Sequence, residues 1–219
     1  IFNANVSRHY CESLGYHLKH AVVIPNGIDA NIFKPEPASK KVATRNHLAI
    51  PLDAFVVGML ARVDPMKDYE TFLDAARDLS LKYENLYFVT AGIGTDTAPW
   101  QSLPARFLRL GRWEDVPALL NVLDIMVLSS SYGEGFPNVI GEAMACGVPT
   151  IATNVGDVAY IIADQGIIIP PKNPKALIEA IESIMQNTPS QERIRDRIVS
   201  HFDVPQMVDK TIQALTEAL

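Results

Sequence analysis

The sequence predicts an α/β fold, a doubly wound, Rossmann-like parallel sheet of about six strands, on three observations. Short apolar runs alternate with helical segments from Phe55 to Pro170. The runs are near-continuous in apolar and β-branched residues, as strands covered on both faces require. The segments between them carry apolar residues at helical spacing, which gives each helix one face to lay on a sheet. No internal repeat or low-complexity tract breaks the alternation.

In order, IFNANV reads as a strand and Ser7 as the N-cap of a short helix to Leu14. HAVVIP (20–25) reads as a second strand, running into the turn NGID. The Pro-broken FKPEPAS (33–39) is the best candidate for a domain boundary. A polar helix from Ser39 to Ile50 is expected to contact the core through Val42, Leu48 and Ile50. The regular alternation then begins with the strand FVVGMLAR (55–62) and a helix whose Tyr69, Phe72, Leu73, Ala76 and Leu79 share a face. LYFVTAG (86–92), a helix near Thr97 to Leu103, FLRLG (107–111), the helix DVPALLNVL and the strand IMVLS (125–129) continue it. A central helix ends at Gly147 and Pro149, followed by TIAT (150–153), a helical segment around Asp157 to Ile162, and GIIIP (166–170). Three helices close the chain. The first has Pro174 at its first position and Leu177, Ile178, Ile181, Ile184 and Met185 inward. The last carries the stripe Val204, Met207, Val208, Ile212, Leu215 and Leu219, which needs a surface to cover.

With 219 residues, 48% of them apolar, the chain can bury a full core as one domain, alone or with appendages. A formal charge of -6 and no basic stripe argue against nucleic-acid binding. Cys11 and Cys146 are too far apart for a framework, and the five histidines show no metal-ligand spacing. Free thiols in a reducing cytosol are expected. No run approaches the roughly 20 apolar residues that span a bilayer, so the expectation is a soluble, cytoplasmic chain. The start at Ile1, without an initiator Met, points to a fragment or a processed product.

Chemistry concentrates where strands end. Residues 129–149, SSSYGEGFPNVIGEAMACGVP, run from a strand through a Gly-containing loop into a helix, at the sheet edge where open parallel sheets bind ligands. The amides of Phe136, Asn138 and Val139, with the helix dipole, suit an anion, whereas Pro137 has no donor. Arg62 and Lys67 follow the strand at 55–62 and emerge at the same edge; a guanidinium fork beside an ammonium suits a diphosphate. The plainer alternative is a solvated loop in which they pair with Asp64 and Asp68. Glu142 should face the buried edge with Val139, Ala143 and Cys146, where its carboxylate needs donors, either ribose hydroxyls or backbone amides. Glu134 lies by Gly135 at the mouth of the site, where the alternative is a solvated acid. GIGTD at 92–96 lacks the third glycine of a dinucleotide fingerprint.

Taken together, these motifs resemble those of the C-terminal, donor-binding half of a family 4 glycosyltransferase of the GT-B fold. The resemblance is carried by IPNGID (24–29), Phe33 with Pro35, GMLARVDPMKD (58–68), LGRWEDVPALLNVLDIMVLSS with Asp124, and EGFPNVIGEAMACGVPTIAT. The last fits the family's two glutamates with seven residues between them, followed by Ala-Met-Ala-x-Gly-x-Pro. The resemblance implies that Arg62 and Lys67 hold the donor's diphosphate, Glu142 the ribose, and Glu134 a place by the donor sugar. Amides of Gly135, Phe136, Asn138 and Val139 would contact sugar and phosphate, and Arg112 would border the base. It further implies a UDP- or GDP-linked sugar as substrate, no metal or other cofactor, and retained anomeric configuration. The acceptor, a polysaccharide or lipid-linked, would be held by an N-terminal domain of which 1–34 is a remnant with the linker. Residues 35–202 would be the donor domain, and 203–219 a helix that packs on the missing domain. Such a fragment would bind donor weakly and transfer nothing alone, the full-length enzyme associating peripherally with the inner membrane face. GDVAYII (156–162) departs from the family's two glycines and a glutamate. A nucleotide-sugar epimerase and a non-catalytic nucleotide-sugar module are the alternatives.

Overall fold

The computed structural model describes residues 1–217. Its strands are β1 (Phe55–Leu60), β2 (Leu86–Ala91), β3 (Phe107–Arg109), β4 (Ile125–Leu128), β5 (Thr150–Thr153) and β6 (Ile167–Ile169). They form one parallel sheet in the order β3-β2-β1-β4-β5-β6. The direction of crossover reverses between β1 and β4, which opens a crevice beyond their carboxyl ends. The helices are α1 (Asn5–Ser13), α2 (Ala38–His47), α3 (Tyr69–Lys82), α4 (Val116–Val122), α5 (Asn138–Ala145), α6 (Val158–Ile162), α7 (Pro174–Gln186), α8 (Gln191–Phe202) and α9 (Val204–Thr216).

Strand periodicity divides the core. On β1, Val57 and Met59 join Phe72 and Leu79 of α3, Phe88, and Leu177 and Ile181 of α7 on one face. Val56 and Leu60 point the other way, to Leu119 and Leu120 of α4, Met126 and Ala143. A third cluster joins Ile140 and Met144 of α5 to Ile161, Ile194, Ile198 and Phe202. Against it lies the segment around Pro25: Ile24, Ile28 and Ala30 are buried, and the Ile28 amide donates to the Phe202 carbonyl at 2.7 Å. Arg195 donates to the carbonyls of Ala30 and Phe33, each at 2.9 Å, and to that of Ala145 at the end of α5.

Several local expectations are corrected. IFNANV and HAVVIP are not strands but meet in an isolated parallel bridge, Phe2 with Val23. The helix between them starts at Asn5 with Ala4, not Ser7, at its N-cap position, because Asp157 accepts from the amides of Asn5 (2.6 Å) and Val6 (3.0 Å) and so fixes the first turn. Residues 97–103 form no helix: Pro99 and Pro104 break the segment, and Arg109 ties it down through the carbonyls of Thr95 (2.6 Å) and Ala98 (2.7 Å). Val42 of α2 is exposed, and Arg45 takes the inward position. On α9 none of the described residues is buried, Val208, Ile212 and Leu215 are exposed, and Leu219 lies outside the described residues. Cys146 is buried, and burial pushes its thiol up to about 12, which makes it inert at neutral pH. No helix among the described residues is long and apolar enough to cross a membrane.

Candidate functional site

The cleft at the switch point is built from loops that the strands deliver. β1 ends at Leu60 and leads into Ala61 and Arg62; a turn of 3-10 helix, Pro65–Lys67, follows. Asp64 caps that turn, accepting from the Met66 amide at 2.9 Å, and its other oxygen accepts from Arg62 Nε at 3.2 Å. The Met66 amide, and then Arg62, hold the Asp64 carboxyl below the usual carboxylate range. β2 ends beside it at Gly92, whose φ of 135° and closeness to Ala61 exclude a side chain, a Cβ there falling 2.1 Å from the Ala61 carbonyl oxygen. The Gly92 amide donates to the Gly111 carbonyl at 2.7 Å, and Thr95 Oγ1 receives the Gly111 amide at 3.0 Å. GIGTD is thus a bolt between β2 and the loop after β3.

Leu60, Ala61, Arg62, Ala91, Gly92, Ile93, Arg112, Trp113, Val116, Val139 and Glu142 enclose a cleft of about 260 Å³. Four residues expected from the sequence, Arg62, Arg112, Val139 and Glu142, are therefore brought together. Burial raises the Glu142 carboxyl above its ordinary value, and among the described residues its side chain has no hydrogen-bond partner. α5 starts at Asn138 without a side-chain cap, so its first amides remain donors. Trp113 was not singled out from the sequence; its indole N–H donates to the Asp115 carbonyl at 3.1 Å, which holds the ring in the cleft wall. The aromatic in LGRW was its only sequence signal.

Lys67 and Glu134 do not line this cleft but lie beside it as an ion pair, Nζ to Oε1 2.5 Å, with side chains 12% and 7% exposed. Glu134 is therefore no solvated acid, and Lys67 pairs with it rather than with Asp68, which caps α3. Arg62, 59% exposed, does pair with Asp64. The Phe136 ring is buried against Phe202, centroids 5.5 Å apart, so only its backbone can face a ligand. The Gly135 carbonyl accepts from the Asp157 amide at 3.0 Å, and the Asn138 side chain accepts from Asn26 Nδ2 at 2.7 Å. The departure at GDVAYII also has an account. Asp157 anchors α1, and Gly156, at φ 65°, lets the chain pass so close that a Cβ would stand 2.2 Å from the Glu134 carbonyl oxygen. Gly156→Ala is accordingly expected to cost about 1–3 kcal/mol in chemical denaturation; an unchanged midpoint would mean that the Glu134 loop yields freely. Among the described residues no group of three or more His, Cys, Asp or Glu side chains could hold a metal ion.

The family model for glycosyl transferases group 1 matches residues 40–199. D-inositol 3-phosphate glycosyltransferase of Stackebrandtia nassauensis is 28% identical over 198 residues, 82% of this chain and 44% of that protein. The Escherichia coli UDP-Gal:alpha-D-GlcNAc-diphosphoundecaprenol alpha-1,3-galactosyltransferase is 28% identical over 206 residues, 86% and 52% of the two chains. The chain thus spans about half the length of these curated relatives. Among solved structures, Anabaena HepE in complex with UDP-glucose superposes with a TM-score of 0.87 at 24% identity, covering 99% of this chain and 63% of that one. The C-terminal domain of a group 1 glycosyl transferase from Francisella tularensis superposes with a TM-score of 0.69 at 22% identity, over 81% of this chain and all of that one. At these identities the superpositions speak for the fold.

Proposed function

The chain belongs to the glycosyl transferases group 1 family, and from that premise we propose that it forms the donor-binding half of a retaining glycosyltransferase that takes a UDP- or GDP-linked sugar. The observation that carries this is the convergence of Arg62, Arg112, Val139 and Glu142 on one cleft at the switch point, with Lys67 and Glu134 adjoining it. Arg62 and Lys67 hold the diphosphate and neutralise the charge that develops on the departing nucleoside diphosphate, without a bound metal. The first amides of α5 add donors on the opposite wall. Glu142 accepts from ribose hydroxyls, Arg112 borders the base, and Glu134 stands by the sugar. A polysaccharide or lipid-linked acceptor is held by a second domain, without which the donor half transfers nothing; association with the inner membrane face belongs to that larger protein. The curated relatives, named as transferases, favour transfer over epimerisation and over a non-catalytic module.

A thermal-shift screen of nucleotides and nucleotide sugars tests the reading. Stabilisation by one nucleoside diphosphate and its sugar conjugate is expected; no shift with any of them would refute it. Glu142→Gln is expected to weaken nucleoside diphosphate more than inorganic pyrophosphate, which has no ribose; equal losses would remove the ribose role. The same variant has a pH signature. A carboxyl raised above its ordinary 4.5 by burial binds its proton more tightly folded than unfolded, so it lowers stability as pH rises through that region. Glu142→Gln should therefore be the more stable protein above that window and equal to the parent below it.

A further inference from the structure

We propose that Ser130 is a positioning residue that keeps Glu134 directed at the donor sugar, an inference that rests on the reading of Glu134 as the group beside that sugar. Ser130 lies just past β4 and is wholly buried. Its Oγ donates to Glu134 Oε1 at 2.5 Å, and Lys67 Nζ donates to the same oxygen at 2.5 Å. An ionised carboxylate offers about four lone-pair sites on two oxygens. Both protein donors are spent on Oε1, and among the described residues Oε2 accepts from none, so Oε2 is the oxygen left for a sugar hydroxyl.

The serine is itself fixed. Thr153 Oγ1, buried on β5, donates to the Ser130 carbonyl at 2.5 Å. The preceding residue, Ser129, donates its hydroxyl to the carbonyls of Lys67 (3.0 Å) and Asp68 (2.9 Å). Successive side chains leave an extended segment on opposite sides. Ser129 thus holds the backbone that carries Lys67, and Ser130 holds the carboxylate that Lys67 faces.

The two donors on Oε1 differ once a diphosphate arrives. Lys67 is a charged ammonium on a flexible stem, and phosphate oxygens compete for it. Ser130 has no such competitor. With donor bound, the hydroxyl is what keeps Glu134 from following Lys67 toward the phosphates.

Calorimetric titration of the chain and its variants with UDP and UDP-glucose, and with GDP and GDP-mannose, reads this directly. For the pair that binds, Ser130→Ala should weaken the sugar nucleotide about tenfold, as expected for one hydrogen bond to a charged group, and leave the nucleoside diphosphate within about twofold. Ser130→Cys, close in size and a weaker donor, should fall between. In a Glu134→Ala background, which removes the acceptor, the effect of Ser130→Ala should disappear. Equal loss for both ligands, or an undiminished loss in the Glu134→Ala background, would overturn the assignment while leaving the donor site standing. Failure of the unsubstituted chain to bind any of these ligands would overturn the donor site, and this inference with it.

Discussion

Alanine at both Arg62 and Lys67 is expected to weaken nucleoside diphosphate binding by about 2–4 kcal/mol, the scale of one to two hydrogen bonds to a charged ligand. The two cations reach the site by different routes. Arg62 is 59% exposed and held at Nε by Asp64, which leaves the terminal nitrogens of its guanidinium for phosphate oxygens. Lys67 is largely buried against Glu134. Its removal strands a buried carboxylate, so the single variant Lys67→Ala should also lose stability, whereas Arg62→Ala should not. Calorimetry beside urea denaturation separates the two effects. Unchanged affinity in the double variant would exclude these residues as the diphosphate site.

Arg45→Ala should cost about 3–5 kcal/mol of folding stability, the expense of breaking a buried, hydrogen-bonded ion pair from one side. The Arg45 side chain is 4% exposed and donates to the carbonyls of Leu52 (3.1 Å), Ala54 (2.8 Å) and Val122 (2.9 Å) and to Asp124 Oδ2 (2.9 Å). Asp124 accepts the Val56 amide at 2.8 Å with the same oxygen. One guanidinium thus joins α2 and the entry to β1 to the end of α4, behind the cleft. Lysine should restore little, because a single ammonium cannot reproduce the planar fork. A loss under about 1 kcal/mol in urea denaturation, the range of a surface pair, would show the network to be dispensable.

Arg45 also shows where the sequence stops speaking. The strands and the inward faces of α3 and α7 were legible because binary pattern and local spacing decide them: Phe72, Leu73 and Leu79 are buried as their periodicity requires. In α2 the same logic put Val42 inward. Two of the partners of Arg45, Val122 and Asp124, lie on a segment that only the folded sheet brings near, 77 and 79 residues away, and no local pattern announces them. The cleft was legible in outline: Arg62, Val139 and Glu142 meet at the strand ends where the alternation of strand and helix put them, and Arg112 joins them as the family resemblance implied. The pairing of Lys67 with Glu134, 67 residues apart, was not. Nor was the capture of α1 by Asp157, 152 residues from Asn5. The missing helix at 97–103 is a milder case, in which two prolines in the sequence already speak against a helix.

A nucleoside diphosphate is expected to sit in the cleft between β1, the Gly92 turn, the loop at Arg112 and the start of α5. Amide chemical-shift mapping of the isotope-labelled chain during titration with UDP and with GDP locates it. For the nucleotide that binds, the largest changes should fall at Arg62, Gly92, Arg112 and Asn138 to Glu142, and vanish in the Arg62/Lys67 double variant. Changes centred instead on another surface groove, such as that between Asp164 and Arg193, or none with either nucleotide, would contradict it.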